Sequence, residues 1–143
     1  MAGYSGTPLF KKLGIKPGHR VAVLNAPKSA SSTLAEIAAG GPIDLKLKGR
    51  GPYDVIVLFC DCEFRLAWGF DGARERLAET GGLWVAWPKK SSGVQTDLEE
   101  NCVRQYGLDA GLVDNKVCAI DETWSGLRLV VRVKDREKPR GKK

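Results

Sequence analysis

The sequence predicts an α/β domain of three layers: a mostly parallel sheet with helices on both faces, closed by a C-terminal antiparallel hairpin. Three observations predict it. The runs Tyr53 to Cys60 and Leu83 to Trp87 are apolar without alternation, the composition of strands buried from both sides. Segments of helical period alternate with the strand-like runs, and this order makes parallel neighbours. The last two strand-like runs, Leu112 to Ile120 and Leu127 to Val133, are separated only by Asp121 to Gly126, a loop short enough for antiparallel pairing.

Each element has its own signal. Thr7 is placed as a cap, Pro8 as the first helical residue, and Leu9, Phe10 and Leu13 as the apolar face of a short helix that Gly14 stops. Lys16-Pro17-Gly18 makes a turn before the apolar strand Arg20 to Leu24. A serine-rich segment after Asn25-Ala26-Pro27-Lys28 leads into a helix over Leu34 to Ala39, with Thr33 and Glu36 spaced as a capping box. Ile43, Leu45 and Leu47 alternate with Asp44, Lys46 and Lys48, which predicts an edge strand with one wet face. Glu63 to Thr80 has helical character but contains Gly69 and Gly72. A break is therefore expected, then a second helix through Leu77 that stops at Gly81-Gly82. Thr96 and Glu99 form another capping box ahead of a helix bearing Leu98, Cys102 and Tyr106, closed by Gly107. Together these elements make a Rossmann-like domain over residues 1–136, with residues 137–143 as a basic, disordered tail.

Composition bounds the function. At 143 residues, 43% hydrophobic and 28% charged, the chain is long enough for one core that needs no disulfide or metal, and too short for a multidomain enzyme. The formal charge is +6, from 23 basic and 17 acidic residues. Lys134 to Lys143 hold six basic and two acidic side chains, so +4 of the charge lies there and about +2 in the body. That bias is too weak to point to nucleic acid. No apolar run is long enough to span a membrane, and Met1 to Leu13 lacks the order of a signal peptide, so a cytoplasmic protein is expected. Cys60, Cys62, Cys102 and Cys118 are then thiols, and none of their spacings is that of a zinc knuckle. The one histidine, His19, precedes the first strand and falls at the edge opposite a Rossmann-type site. This placement argues against a Ser-His-Asp triad or a histidine metal centre.

The order of segments resembles the class I S-adenosylmethionine-dependent methyltransferase fold. Lys12-Leu13-Gly14-Ile15-Lys16-Pro17-Gly18-His19-Arg20-Val21 is similar to the lead into that fold's first strand, Tyr53 to Phe59 to its fourth, and Gly81-Gly82-Leu83-Trp84-Val85 to its fifth. The whole chain, over residues 3 to 136, also resembles a small bacterial family with a domain of unknown function. The shared motifs are Tyr4-Ser5-Gly6-Thr7, Trp87-Pro88-Lys89-Lys90 and the run Asp114 to Gly126. The resemblance implies a methyltransferase-like fold and supplies no reaction. It also implies a glycine-rich cofactor loop after the first strand and an acidic side chain at the tip of the second. This chain departs at both, with Asn25-Ala26-Pro27-Lys28-Ser29 in the loop and Lys46, Leu47 and Lys48 after Leu45.

Ligands of open parallel sheets sit beyond the carboxyl ends of the strands. The loops there carry Asn25, Lys28 and Ser29, then Asp61, then Trp87, Lys89 and Lys90, then Asp121, Glu122 and Trp124. Lys28 with its serines precedes one helix and Lys89-Lys90 leads toward another, so two helix starts are expected to face one anion. The same serines and lysines also serve as ordinary caps and wet loop residues. Asp121 and Glu122 are candidates for a general base or ligand grip, with Trp124 as a stacking lid, and equally for turn-shaping residues. The two cysteines at the strand end, Cys60 and Cys62, fit small buried hydrophobes better than a metal or redox pair. The reading is a non-catalytic or regulatory module that binds a small anionic or nucleotide-like ligand, or a protein, at this edge. The alternative is a divergent methyltransferase in which Asn25 and Asp61 hold S-adenosylmethionine while Asp121 or Glu122 assists proton removal.

Overall fold

The computed structural model describes residues 6–136; the expected tail at 137–143 and the motif residues Tyr4 and Ser5 lie outside them. Five strands form one sheet: β1 (Val21–Leu24), β2 (Tyr53–Phe59), β3 (Leu77–Pro88), β4 (Leu112–Ala119) and β5 (Trp124–Val131). Their order is β1-β2-β3-β5-β4. The first three run parallel, and β5 lies antiparallel between β3 and β4. The hairpin is present as the sequence predicts, but its reversed strand is interior and β4 takes the edge.

The helices are α1 (Leu9–Lys12), α2 (Ser31–Ala38), α3 (Glu63–Glu75) and α4 (Glu100–Asp109). The pleat sorts β2 between them: Val55, Val57 and Phe59 join Leu9, Leu13 and Ile37 on one face, while Ile56, Leu58 and Cys60 join Leu66, Phe70 and Val103 on the other. Three layers result, with both faces of the sheet covered. Trp84 and Trp87 point to opposite faces and are both buried. The indole N–H of Trp84 donates to the Leu13 carbonyl at 3.1 Å and thereby anchors the end of α1.

Several local expectations fail for physical reasons. No strand forms over residues 43–48. Asp44 alone bridges to Ala22, and Leu45 is 61% exposed. Side chains hold that segment instead: the Tyr53 hydroxyl donates to Asp44 Oδ2 at 2.7 Å and accepts from the Lys48 amide at 2.9 Å. Arg20 stacks on the Tyr53 ring at 4.1 Å and donates to the carbonyls of Arg50 and Gly51, which Arg76 joins at Gly51. Helix α3 runs unbroken through Gly69 and Gly72. Gly81-Gly82 does not stop a helix but lies inside β3, because a Cβ on Gly81 would meet the Asp54 carbonyl oxygen at 2.5 Å. Neither capping box forms. Thr33 is inside α2, and the Thr96 hydroxyl accepts from the Leu98 amide while Glu99 takes the cap position of α4. Pro8, not Thr7, caps α1. Gly107 is a buried residue of α4 packed against Leu129, and the chain turns at Gly111, φ 85°, instead.

Candidate functional site

At the C-terminal edge of the parallel strands, α1, α2 and the loop joining β4 to β5 enclose a groove of about 980 Å³. Asp121 builds its far wall. Its Oδ1 accepts from the amides of Thr123 (2.7 Å) and Trp124 (2.8 Å), which fixes the turn, and its Oδ2 accepts from the Thr33 hydroxyl at 2.5 Å. The hairpin tip is thereby bolted to α2. The Lys89 amide donates to the Thr123 carbonyl at 2.8 Å and joins the loop after β3 to the same wall. Ser29, Ser32 and Glu36 come from the start and outer face of the α2 segment, and Phe10 and Lys12 from α1. The lining is therefore mixed: hydroxyls, amines and carboxylates around the apolar Phe10 and Ile120.

The structure brings together only part of the predicted set. Ser29, Lys89, Asp121 and Glu122 line the groove. Asp61 lies elsewhere, in a hollow of about 360 Å³ with Cys62, Arg65 and Asp97, ion-paired to Arg65 at 3.2 Å. Lys90 is exposed and reaches Glu99 at 3.6 Å. Lys28 and Asn25 are exposed and line neither hollow. Trp124 is no lid: it is buried, edge-on to Phe59 with ring centroids 5.0 Å apart. Trp87 likewise belongs to the core of the α3/α4 face. The two helix starts do not converge on an anion. Lys90–Ser92 is a single 3-10 turn, and α4 begins later behind Glu99 and Glu100.

Sequence reasoning missed Phe10, Lys12, Thr33 and Glu36. A buried threonine on a helix face is the one local signal among them, because a buried hydroxyl requires a partner. Cys60 is buried, and its thiol is pushed up to about 12 by burial first and by Asp61 and Cys62 next. It is a core residue, not a nucleophile. His19 sits at the opposite edge, where its Nδ1 accepts from the Lys16 amide at 3.1 Å.

The fold is that of methyltransferases. A methyltransferase of Aquifex aeolicus described as SAM-dependent matches with TM-score 0.58 and 14% identity over 91% of each chain. A ribosomal protein L11 methylase of Lactobacillus delbrueckii matches with TM-score 0.54 and 12% identity, over 87% of this chain and 75% of that one. The magnesium protoporphyrin IX methyltransferase of Synechocystis, solved with bound SAH, matches with TM-score 0.53 and 11% identity, over 81% and 75%. No protein-family model and no curated protein matches the chain.

S-Adenosylmethionine, which such a fold implies, requires close backbone approach after β1 and a carboxylate beside it for the ribose. Asn25 has φ 60°, the one left-handed residue other than glycine among those described, so it makes the sharp turn a glycine makes elsewhere. Unlike glycine it carries a side chain, whose Nδ2 lies beside Gly69 of α3. The ribose position is also lost. On the side of β1 away from β2 only Asp44 bridges to it, its Oδ2 accepts from Tyr53, and Leu45 to Lys48 bring no acid. These residues do not fit the cofactor in the manner the resemblance implies.

Proposed function

We propose that the protein binds a small polar ligand in the groove between α1, α2 and the hairpin loop, as a non-catalytic or regulatory module on a methyltransferase-like frame. The composition of the groove carries this reading. Lys12 and Lys89 supply positive charge, Glu36 and Glu122 negative charge, and Ser29 and Ser32 hydroxyls, with Phe10 as an apolar part of the same lining. That set suits a ligand with an amine, an acid and a nucleoside-like or sugar-like body better than a bare anion. We place the chain in a reducing bacterial cytoplasm, in the small family its motifs resemble, a setting in which its four cysteines are thiols.

A second reading, S-adenosylmethionine-dependent methyl transfer, is the one the structural neighbours favour. S-Adenosylhomocysteine itself carries an amine, a carboxylate and a nucleoside, so it is the first probe. Thermal unfolding is measured with S-adenosylhomocysteine, nucleosides, nucleotides and amino acids. A ligand at 100 times its dissociation constant stabilises by about 2.7 kcal/mol. Lys89→Ala and Glu36→Gln are expected to abolish the shift, and Lys90→Ala, outside the groove, to leave it. A shift that survives both groove substitutions discards the groove. A shift with S-adenosylhomocysteine alone, lost in Asn25→Ala and kept in Lys89→Ala, places the ligand at the loop after β1 and overturns the groove reading in favour of the methyltransferase one.

A further inference from the structure

Arginines collect along the second half of β5 and just past its end, toward the edge of the sheet where the parallel strands begin. Because β5 runs against β3, its last residues leave the sheet where the parallel strands begin. Arg128 is registered with Trp84, and its guanidinium lies across Gly82: a Cβ there would collide with its Nε and Cζ. A glycine inside a strand thus makes room for a cation. The β4 residue opposite Arg128 is Lys116, a like-charge pairing that costs stability. Lys116 also donates to the Lys12 carbonyl at 3.3 Å, at the end of α1. Four residues on, Arg132 has a buried Nε with no hydrogen-bond acceptor, and Arg136 folds back to donate to the Val131 carbonyl at 3.3 Å. Burial first, then the charge of Arg136, hold Arg128 below the usual guanidinium range. Among the described residues, no ion pair involves Lys116, Arg128, Arg132 or Arg136, although the exposed Asp135 stands between two of them in the chain.

A buried donor without an acceptor and like charges face to face are both costly, and an oxyanion at each relieves them. One anion is too small for the array. Arg128 and Arg132 are about 13 Å apart along an extended chain, and Arg136 follows four residues further on. Regularly spaced phosphates match that spread. We propose that this face, centred on Arg128 and Arg132, binds the phosphate backbone of a nucleic acid. A body charge near +2 does not itself point to such a partner; the local cluster of Lys116, Arg128 and the unpartnered Arg132 does.

The test is fluorescence anisotropy of a labelled 20-nucleotide RNA against the full chain at several KCl concentrations. Arg128→Gln/Arg132→Gln is expected to weaken binding at least about tenfold and to lower the slope of log K on log salt by about 1–2. Lys46→Gln/Lys90→Gln, with the same loss of charge elsewhere, is expected to change it less than about twofold. Circular dichroism melts verify folding. If Arg128→Gln unfolds the chain, Arg132→Gln alone is read, with an expected loss of about threefold to tenfold. Equal loss in the control pair overturns the site, as does the absence of RNA binding. Binding to inorganic phosphate or to phosphatidylglycerol vesicles with none to RNA overturns the choice of partner.

Discussion

Cys60 and Cys62 stand two residues apart and meet different fates. Cys60 is sealed in the core, with its thiol held near 12, while Cys62 is half-buried at the start of α3. At pH 8 a thiol reagent is expected to label Cys62 and to leave Cys60 untouched until the protein unfolds, as mass spectrometry of the labelled peptides will show. Labelling of both at equal rates would deny the burial. The sign of the pH effect follows. A thiol whose folded value is raised from 9.0 to about 12 binds its proton more tightly in the folded state. Its contribution is therefore complete below pH 9 and declines through the interval from 9 to 12, by at most ~1.4 kcal/mol per pH unit. Urea midpoints measured from pH 8 to 11 should fall more steeply in the native chain than in Cys60→Ala. At this scale the burial of Cys60 was legible, since it ends the run Tyr53 to Cys60 that is apolar without alternation. The role of Thr33 was not, because its partner Asp121 lies 88 residues away and no local pattern encodes that meeting.

Among the elements, α3 shows how a helix hides from its own sequence. Its buried side is Leu66, Phe70 and Ala73, but its outward side carries Phe64 and Trp68, 76% and 75% exposed, so the apolar period is blurred. Two glycines then imitate a break. Gly69 sits close to Leu58, where an added Cβ would approach Cδ1 to 3.1 Å, whereas at Gly72 the nearest atom is 3.9 Å away. Gly72→Ala is thus expected to stabilise the protein by about 0.5–1 kcal/mol, because it relieves only the entropic cost of glycine in a helix. Gly107→Ala is expected to do the reverse, by about 1–3 kcal/mol, since its Cβ would lie 2.5 Å from Leu129 Cδ2 inside the core. Chemical denaturation of the two variants against the native chain gives both values. A stabilising Gly107→Ala would show that α4 does not pack on β5 as described. The strand expected over residues 43–48 failed for a related reason. Alternation alone predicts a strand, but a strand needs a neighbour along its length, and here only Asp44 makes a bridge.

In the whole molecule, hydrogen bonding and burial rise together toward the centre of the sheet. β2 is paired to β1 and β3, and β3 to β2 and β5, and side chains from both helical layers cover the two strands. Their amides open only when the domain unfolds, so Ile56, Val57 and Leu83 to Val85 are expected to exchange most slowly, at a free energy near the global value of about 5–15 kcal/mol. The segment 43–51 lies at the other extreme. Side chains, not a ladder, hold it: Tyr53 on Asp44 and Lys48, and Arg20 and Arg76 on the carbonyls of Lys48 and Gly51. Such a clamp opens one bond at a time without disturbing the sheet. Hydrogen exchange followed by mass spectrometry is expected to show peptides from this segment exchanging orders of magnitude faster than those of β2 and β3. Tyr53→Phe removes the hydroxyl, which should speed the amide of Lys48 further while leaving Leu83 to Val85 unchanged. Equal protection over 43–51 and β3 would mean that a sixth strand forms beside β1 in solution, and the edge of the sheet would then have to be redrawn.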